Sequence, residues 1–136
     1  RSERLKVDFI PNISIQNSDI LILGISYKPD RKDIQLTPAE HIIKKLQSLG
    51  AKIYIYDPYF SGNEIFGIKV ADNLDNIIEK VNVSILVTSH NEFKQIDMSL
   101  FKKMKTPILI DTRGIIEPTH ATQNKLIFRG LGRGNN

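Results

Sequence analysis

Short, largely apolar runs recur along the chain and restrict the folds that it can adopt. They begin at Ile20, Ile53, Val83 and Ile108, and glycine, aspartate or threonine follows each of them. Runs of this length and composition are typical of strands that are covered on both faces, as in a parallel sheet. The runs therefore predict the central strands of an α/β protein.

A helix is predicted between the first two of these strands. Thr37 is suited to the N-cap and Pro38 to the first helical position, and Glu40 follows within the first turn. Gly50 provides a stop signal. The apolar residues fall on one face at helical spacing, so that this face can pack on a sheet: Ala39, Ile42, Ile43, Leu46 and Leu49.

The rest of the chain continues the alternation of strands and helices. Asp72 and Asp97 are candidate caps of two further helices, and short strands are expected at 68–70 and 125–128. This alternation predicts a three-layer, doubly wound parallel sheet with helices on both faces, which is a Rossmann-like architecture. We expect residues 19–136 to form one domain and residues 1–18 to be a linker or the end of a preceding element.

Composition narrows the classes of function. The chain of 136 residues is 40% hydrophobic and 25% charged, with a net charge of +4, which is ordinary for a folded domain. It has no long basic run, so we expect a small anionic ligand rather than nucleic acid. The absence of cysteine excludes a disulfide framework and a cysteine nucleophile in this chain. We expect a cytoplasmic protein without a signal peptide or a membrane span.

Ligands of doubly wound sheets bind beyond the carboxyl ends of the strands, so the residues after each strand are the candidate site. The loop that begins at Gly24 has the spacing of neither the dinucleotide fingerprint GxGxxG nor the P-loop. Its Tyr27 and Lys28 could contact a ligand and neutralise a phosphate or carboxylate. The chemistry alone favours a plainer interpretation, in which a solvated lysine stands beside a packing tyrosine.

Arg113 is a second candidate ligand residue, because it follows the predicted strand that ends at Asp111. A guanidinium group can bind an anion through two parallel hydrogen bonds. An internal ion pair between Arg113 and Asp111 would explain the same sequence equally well. The residues by themselves leave both interpretations open.

We expect Asp57 and His90 to be structural. An acidic residue at the Asp57 position can hold a ribose, but that role normally accompanies the glycine fingerprint. His90 has no obvious nucleophile to serve, and no aspartate is evidently placed to orient it. The three histidines are far apart and match no recognised metal-ligand spacing. We therefore predict neither a catalytic residue nor a metal site in this chain.

Taken in order, the motifs at the strand ends resemble the C-terminal domain of the UDP-glucose/GDP-mannose dehydrogenase family. The motifs are Gly24–Asp30 with Asp33, Thr37–Ala39, Tyr56–Tyr59, His90–Lys94 and Asp111–Gly114. The resemblance covers roughly residues 19–134. It implies an enzyme that oxidises the C6 hydroxyl of a nucleotide sugar in two NAD-dependent steps. In that enzyme an N-terminal domain binds NAD, a central region serves dimerisation, and the present domain closes over the UDP-sugar.

The resemblance also assigns residues. Tyr27 and Lys28 match an aromatic–lysine pair that contacts the nucleotide sugar, and Arg113 matches an arginine that reaches its sugar or phosphate portion. The family pattern D-x-R-x-S-P continues from Asp33, and its arginine contributes to binding of the NAD pyrophosphate. Gln35 replaces that arginine here, which removes a full charge and puts this cofactor contact in question.

The resemblance implies that this chain alone is inactive, because the NAD fingerprint and the nucleophilic cysteine belong to other parts of the enzyme. The segment 89–94 is more similar to UDP-N-acetyl-D-mannosamine dehydrogenases than to UDP-glucose dehydrogenases, which usually have tryptophan in place of His90. UDP-N-acetyl-D-mannosamine is therefore the expected substrate and UDP-glucose the alternative.

The expected partners are the UDP-sugar and the rest of a homo-oligomeric dehydrogenase. The competing function is a noncatalytic regulatory or interaction module with the same fold, which the change at Gln35 would permit.

Overall fold

A five-stranded parallel sheet forms the centre of the computed structural model, which describes residues 15–34 and 37–130. The strands of this sheet and of a small hairpin, in chain order, are β1 (Asp19–Leu23), β2 (Lys52–Tyr56), β3 (Glu64–Ile65), β4 (Ile68–Lys69), β5 (Val83–Leu86), β6 (Ile108–Asp111) and β7 (Ile127–Gly130). The order across the sheet is β2-β1-β5-β6-β7, and every neighbouring pair is parallel. The predicted parallel α/β sheet is thus confirmed.

Two hydrophobic cores lie on opposite faces of the sheet. Ile20 and Ile22 of β1 belong to one core, and Leu21 and Leu23 belong to the other, because successive side chains of a strand point to opposite faces. The first core is covered by α1 (Pro38–Ser48) and the second by shorter helical segments. The fold is therefore the predicted three-layer, Rossmann-like arrangement.

Helix α1 has the predicted start. The Thr37 hydroxyl accepts a hydrogen bond from the Ala39 N–H at 3.2 Å, and Pro38 occupies the first turn. Ala39, Ile43 and Leu46 are buried against the sheet. Leu49, which was predicted for the same buried face, is 38% exposed, because it follows the last helical residue as the C-cap.

Short helical segments cover the other face of the sheet, and the sequence predicted only the two that follow Asp72 and Asp97. They are α2 (Leu74–Ile77), α3 (Asn91–Lys94) and α4 (Pro118–Gln123), with 3₁₀ segments at Ile78–Lys80 and Met98–Lys103. The cap of α2 is Asn73 rather than the predicted Asp72, since the Asn73 amide oxygen accepts from two N–H groups of the first turn. Asp97 does cap the segment that follows it, but that segment is a 3₁₀ helix.

The predicted strand at 68–70 belongs to a hairpin outside the central sheet. Its ordered part, β4, pairs with β3 in antiparallel register. The hairpin packs beside β2, where the Ala71 N–H donates to the Ile55 carbonyl at 2.8 Å. Strands of two residues are too short to show an alternation of apolar and polar residues, so their pairing could not be predicted from the sequence.

Part of the predicted linker lies outside the described residues, namely 1–14. The described residues before β1 form a turn that contacts the domain, since the Asn17 N–H donates to the Gly50 carbonyl at 2.9 Å. The division at residue 18 stays a prediction. Among the described residues, none of the helices has both the length and the apolar character needed to cross a bilayer.

The register of the strands brings their carboxyl ends level with one another. Leu23 of β1 lies beside Tyr56 of β2 and Leu86 of β5, and Leu86 lies beside Asp111 of β6. The loops that follow these four strands therefore leave the sheet at one edge, which we call the carboxyl edge. This edge carries all of the residues that the sequence singled out as ligand candidates in the described chain.

Gly24 is required where β1 leaves the sheet. Its φ is +89°, and a Cβ at this position would lie 2.6 Å from the Thr88 Cβ and 3.0 Å from the Thr88 backbone nitrogen. A side chain here would meet both a strained backbone and a filled space. The loop can thus pass close to the β5 end only because residue 24 has no side chain.

We expect Gly24→Ala to destabilise the fold more than Gly67→Ala does. Gly67 also has positive φ, at +81°, but an added Cβ would find nothing within 4 Å. The Gly67 variant should lose about 1–2 kcal/mol from backbone strain, and the Gly24 variant about 1–3 kcal/mol more from steric overlap. Urea denaturation of both variants measures the difference, and equal losses would contradict the close packing against Thr88.

Candidate ligand-binding site at the carboxyl edge

The order of the strands places a crevice around the loop that follows β1. From β1 the chain moves to β2 on one side and later returns to β5 on the other side. Ligands of doubly wound proteins bind at such a reversal of strand order, outside the carboxyl ends of the strands. The loop 24–34, which we call the β1 loop, therefore lies at the expected site.

A buried pair of side chains, Asp57 and His90, lies beneath the β1 loop. Both are 0% exposed, and the Asp57 Oδ2 is 3.0 Å from the His90 Nε2. Asp57 follows β2 and His90 follows β5, so the pair connects the two strands that flank β1. The expectation that no aspartate orients His90 was wrong, because the partner is distant in sequence and only the sheet brings the two together.

Hydrogen bonds define the roles of the two nitrogens of His90. The Nδ1 accepts from the Asp30 N–H at 2.7 Å, so the ring hydrogen lies on Nε2 and is donated to Asp57. The Ser26 Oγ also contacts Nε2, at 3.2 Å, while its hydroxyl donates to the Lys28 carbonyl. In a catalytic triad the serine and the aspartate occupy opposite ring nitrogens. Here both contact Nε2, so the arrangement is not that of a catalytic triad.

Further hydrogen bonds fix the β1 loop along its length. The Asp57 Oδ2 accepts from the Ile25 N–H at 2.8 Å, and the Thr88 hydroxyl donates to the Ser26 carbonyl at 2.7 Å. The Asp30 Oδ1 accepts from the Asn91 N–H at 2.7 Å. The loop is thus attached to the segments that follow both β2 and β5.

Tyr27 and Lys28 project from this fixed loop. Tyr27 is 47% exposed and Lys28 is also exposed. No ion pair holds the Lys28 ammonium within residues 15–34 and 37–130. The backbone is held in place while both side chains remain open to a ligand.

Arg113 is presented in a similar way by the loop after β6. Asp111 is 0% exposed, and its carboxylate accepts from the N–H groups of Arg113 and Gly114 at 2.8 and 2.9 Å and from that of Ile116 at 2.8 Å. The described chain contains no ion pair between the Arg113 guanidinium and Asp111. Asp111 instead binds the backbone, which leaves the exposed guanidinium available.

The three predicted ligand residues lie on two loops of one edge. Only β5 stands between β1 and β6, and adjacent strands are about 4.8 Å apart, so the two loops start about 10 Å apart. Long lysine and arginine side chains can bridge such a distance by binding one ligand between them. The remaining predicted residue, Gln35, lies outside the described residues.

The described residues between β1 and α1 do not suit a dinucleotide pyrophosphate. A glycine fingerprint is missing from the sequence, and the Ile25 N–H is donated to Asp57 instead of pointing to a free anion. At the start of α1, Pro38 has no N–H and the Ala39 N–H is bound by Thr37. A Rossmann-type NAD site needs free N–H groups at this helix terminus. The described part of this chain therefore lacks the fit for NAD by itself.

A hydrogen bond between Tyr56 and Glu92 reinforces the Asp57–His90 pair. The Tyr56 hydroxyl donates to the Glu92 Oε2 at 2.7 Å, and Phe93 packs against both Tyr56 and His90. Burial and the Glu92 carboxylate raise the pKa of the Tyr56 hydroxyl. The end of β2 and the segment after β5 are thus joined by two side-chain contacts. The sequence did not reveal either contact, because each joins residues more than thirty positions apart.

A separate cavity of about 500 Å³ opens beside Tyr56. Its lining includes the carboxylates of Asp72, Asp75, Glu92 and Asp97 and only one lysine, Lys103. An anionic ligand would be repelled there, so the exposed cations of the carboxyl edge are the better site for such a ligand. Among the described residues, no group of three or more His, Asp or Glu side chains is arranged to hold a metal ion.

We expect Asp57→Asn to destabilise the protein markedly. Both carboxylate oxygens of Asp57 accept from N–H donors, since the Tyr59 N–H binds Oδ1 and Ile25 and His90 bind Oδ2. An amide would turn an NH₂ group toward one of these donors, at a cost of about 1–3 kcal/mol. Thermal or urea unfolding measures the loss. Asp72→Asn, which alters an exposed carboxylate, is the control, and equal stability of the two variants would contradict the role of the buried carboxylate.

Tyr56 should make the protein less stable at alkaline pH. Because its pKa is raised in the folded state, its stabilising effect is complete below the ordinary tyrosine pKa of about 10 and declines as pH rises above it. Urea unfolding across this range should show a steeper decline for wild type than for Tyr56→Phe. Glu92→Gln should give an intermediate slope, because it removes the negative charge but leaves the phenol buried. Identical slopes in all three proteins would refute the assignment.

Comparison with known proteins agrees with this geometry. Residues 21–118 match the model of the UDP-glucose/GDP-mannose dehydrogenase family, UDP binding domain. A UDP-N-acetyl-D-mannosamine dehydrogenase of Pyrococcus horikoshii is 31% identical over 125 residues, which cover 91% of this chain and 28% of that protein. A UDP-glucose 6-dehydrogenase of Rhizobium meliloti is 30% identical over 123 residues, covering 88% of this chain and 28% of that protein.

Solved structures give the same result. The structure of the UDP-D-ManNAc dehydrogenase of P. horikoshii superposes with a TM-score of 0.75 at 28% identity, covering 99% of this chain and 29% of that one. An NDP-N-acetyl-D-galactosaminuronic acid dehydrogenase of Methanosarcina mazei has a TM-score of 0.82 at 21% identity, covering 97% of this chain and 28% of that one, and its likeness bears on the fold alone. The chain thus spans less than a third of the length of these relatives. With the matched region covering most of the chain and the ordered loops of the carboxyl edge within it, the protein belongs to the UDP-glucose/GDP-mannose dehydrogenase family, of which it contains the UDP-binding domain.

Proposed function

We propose that this domain binds a UDP-sugar through Tyr27, Lys28 and Arg113 as part of a larger NAD-dependent UDP-sugar 6-dehydrogenase. The domain holds the nucleotide sugar, and the oxidation takes place on residues outside this chain. The observation that carries the proposal is the pair of exposed cations, Lys28 and Arg113, on two loops of one sheet edge. Neither cation has an ion-pair partner among the described residues.

The electrostatics of the edge support a diphosphate as the ligand. Lys28 supplies a compact charge with three donors, and Arg113 supplies a planar group that can bind two phosphate oxygens at once. The exposed ring of Tyr27 stands next to Lys28 and offers an aromatic surface and a hydroxyl to the sugar nucleotide. Each side chain has a separate part in binding, and none of the three needs to exchange a proton with the substrate.

UDP-N-acetyl-D-mannosamine is the proposed sugar substrate, with UDP-glucose as the alternative. The proposal rests on the sequence of the loop that includes His90, which resembles the N-acetylmannosamine enzymes. Relatives named for each substrate have nearly equal identity to this chain, at 31% and 30%, so total identity does not separate them. Both substrates carry the same UDP group, which is the part that Lys28 and Arg113 are proposed to bind.

The parent enzyme is proposed to be a cytoplasmic homo-oligomer that takes part in polysaccharide biosynthesis. NAD would be bound mainly by a domain outside this chain, because the described residues lack a dinucleotide site and the sequence has glutamine at position 35. The nucleophilic cysteine would also come from outside, since this chain contains none. The chain alone is accordingly proposed to bind UDP-sugars without reducing NAD.

Calorimetric titration of the chain with UDP and with UDP-N-acetyl-D-mannosamine tests the proposal. We expect binding by wild type, and a loss of about 10- to 100-fold in affinity for Lys28→Ala and for Arg113→Ala, since a hydrogen bond to a charged group contributes about 1.5–3 kcal/mol. Affinity should also fall as salt is added. Mixing the chain with the sugar nucleotide and NAD should give no NADH.

Lys80→Ala serves as the matched control. Lys80 is exposed and lies just before β5, at the opposite edge of the sheet, so its loss changes the net charge equally without touching the proposed site. Equal affinities of all three variants and wild type would remove Lys28 and Arg113 from the site. A wild-type chain that does not bind UDP would instead favour the noncatalytic module.

A further inference from the structure

We propose that Asp57 and His90 are positioning residues for the UDP-sugar, in that they hold the part of the β1 loop that presents Tyr27 and Lys28. The inference rests on the proposed function and extends it to a buried pair that no ligand can reach, because both side chains are 0% exposed. The pair would act on affinity through the loop backbone rather than through contact with the ligand.

The pair contacts the β1 loop on both sides of Tyr27 and Lys28 in the sequence. Asp57 accepts from the Ile25 N–H at 2.8 Å, before them, and His90 accepts from the Asp30 N–H at 2.7 Å, after them. Between these points the Ser26 Oγ contacts the His90 Nε2 and donates to the Lys28 carbonyl. The backbone of residues 27 and 28 is therefore held at both ends by one buried unit.

Asp30 shows why the second attachment matters. Its φ is +60°, a left-handed conformation that brings the Cβ close to the following carbonyl oxygen and is uncommon for residues other than glycine. The hydrogen bonds of its N–H to His90 and of its carboxylate to the Asn91 N–H favour this conformation. If the His90 acceptor is lost, the strain at Asp30 is less well opposed, and the Lys28 end of the loop gains freedom that a ligand must then remove.

Two substitutions of His90 separate positioning from stability. Asparagine can place its amide oxygen near the Nδ1 position and keep an acceptor for the Asp30 N–H, but it does not reach Asp57. Glutamine can place its amide nitrogen near the Nε2 position and keep a donor for Asp57, but it leaves the Asp30 N–H without an acceptor. We expect both variants to melt at lower temperature and His90→Gln alone to weaken UDP binding by about tenfold, equivalent to about 1.4 kcal/mol.

A double-mutant cycle tests whether His90 acts through Lys28. If it does, His90→Gln should change UDP affinity by clearly less than tenfold once Lys28 is alanine, because the Lys28 contact is already gone and only the Tyr27 contact is still positioned by His90. In the Arg113→Ala background, the same substitution should keep its full effect of about tenfold, since Arg113 is carried by a separate loop. Titrations are made at a temperature at which each variant is folded by circular dichroism.

The outcomes distinguish this inference from the proposed function. Equal tenfold losses in the Lys28→Ala and Arg113→Ala backgrounds, or unchanged affinity of His90→Gln with only a lower melting temperature, would overturn the positioning role while leaving UDP binding intact. Amide hydrogen exchange gives a readout without ligand: the N–H of Asp30 should exchange faster in His90→Gln than in His90→Asn. Similar exchange in both would also overturn the inference, whereas failure of wild type to bind UDP would overturn the proposed function.

Discussion

A carboxylate that is wholly removed from water must be matched by donors, and the arrangement of the carboxyl edge follows from how Asp57 meets this requirement. Its oxygens accept from the backbone at Ile25 and Tyr59 and from the ring of His90. These three groups belong to the segments after β1, β2 and β5, so one buried charge joins three loops. Burial strengthens such hydrogen bonds and makes their loss costly, which is why the loops cannot easily separate.

Asp111 is a second buried carboxylate that is bound by N–H donors, and it lies at the end of β6. Its carboxylate accepts from the backbone N–H groups of Arg113, Gly114 and Ile116 and thereby shapes the turn that carries Arg113. In both loops the buried acid is satisfied by the backbone or by a histidine, and the nearby cation is left for a ligand. Because the buried acids bind the backbone, the loops of the carboxyl edge are held in place. The exposed charge of this edge is positive at Lys28 and Arg113, although acidic residues are close to each of them in sequence.

The arrangement of buried acids and exposed cations fits the proposed role of the domain, which is to bind a nucleotide sugar whose oxidation takes place elsewhere. A ligand that binds between two fixed loops loses little free energy in ordering the protein, so more of the interaction energy appears as affinity. The described residues offer neither a dinucleotide site nor an accessible proton relay, since His90 is enclosed and its two nitrogens are both engaged. Binding energy from this domain would then serve a reaction whose reactive groups are supplied elsewhere in the enzyme.

The sequence by itself determined the layers of the fold, because the apolar runs at β1, β5 and β6 and the capped helix α1 have strong local patterns. It also located the loops with Tyr27, Lys28 and Arg113, since strand ends of a parallel sheet lie at one edge. Only the tertiary structure decided that Asp57 pairs with His90 and that this pair holds the β1 loop. It also decided that Asp111 binds backbone N–H groups rather than the Arg113 guanidinium. Local patterns report which face of an element is buried, whereas these contacts join residues that become neighbours only when β2 and β5 pair on either side of β1.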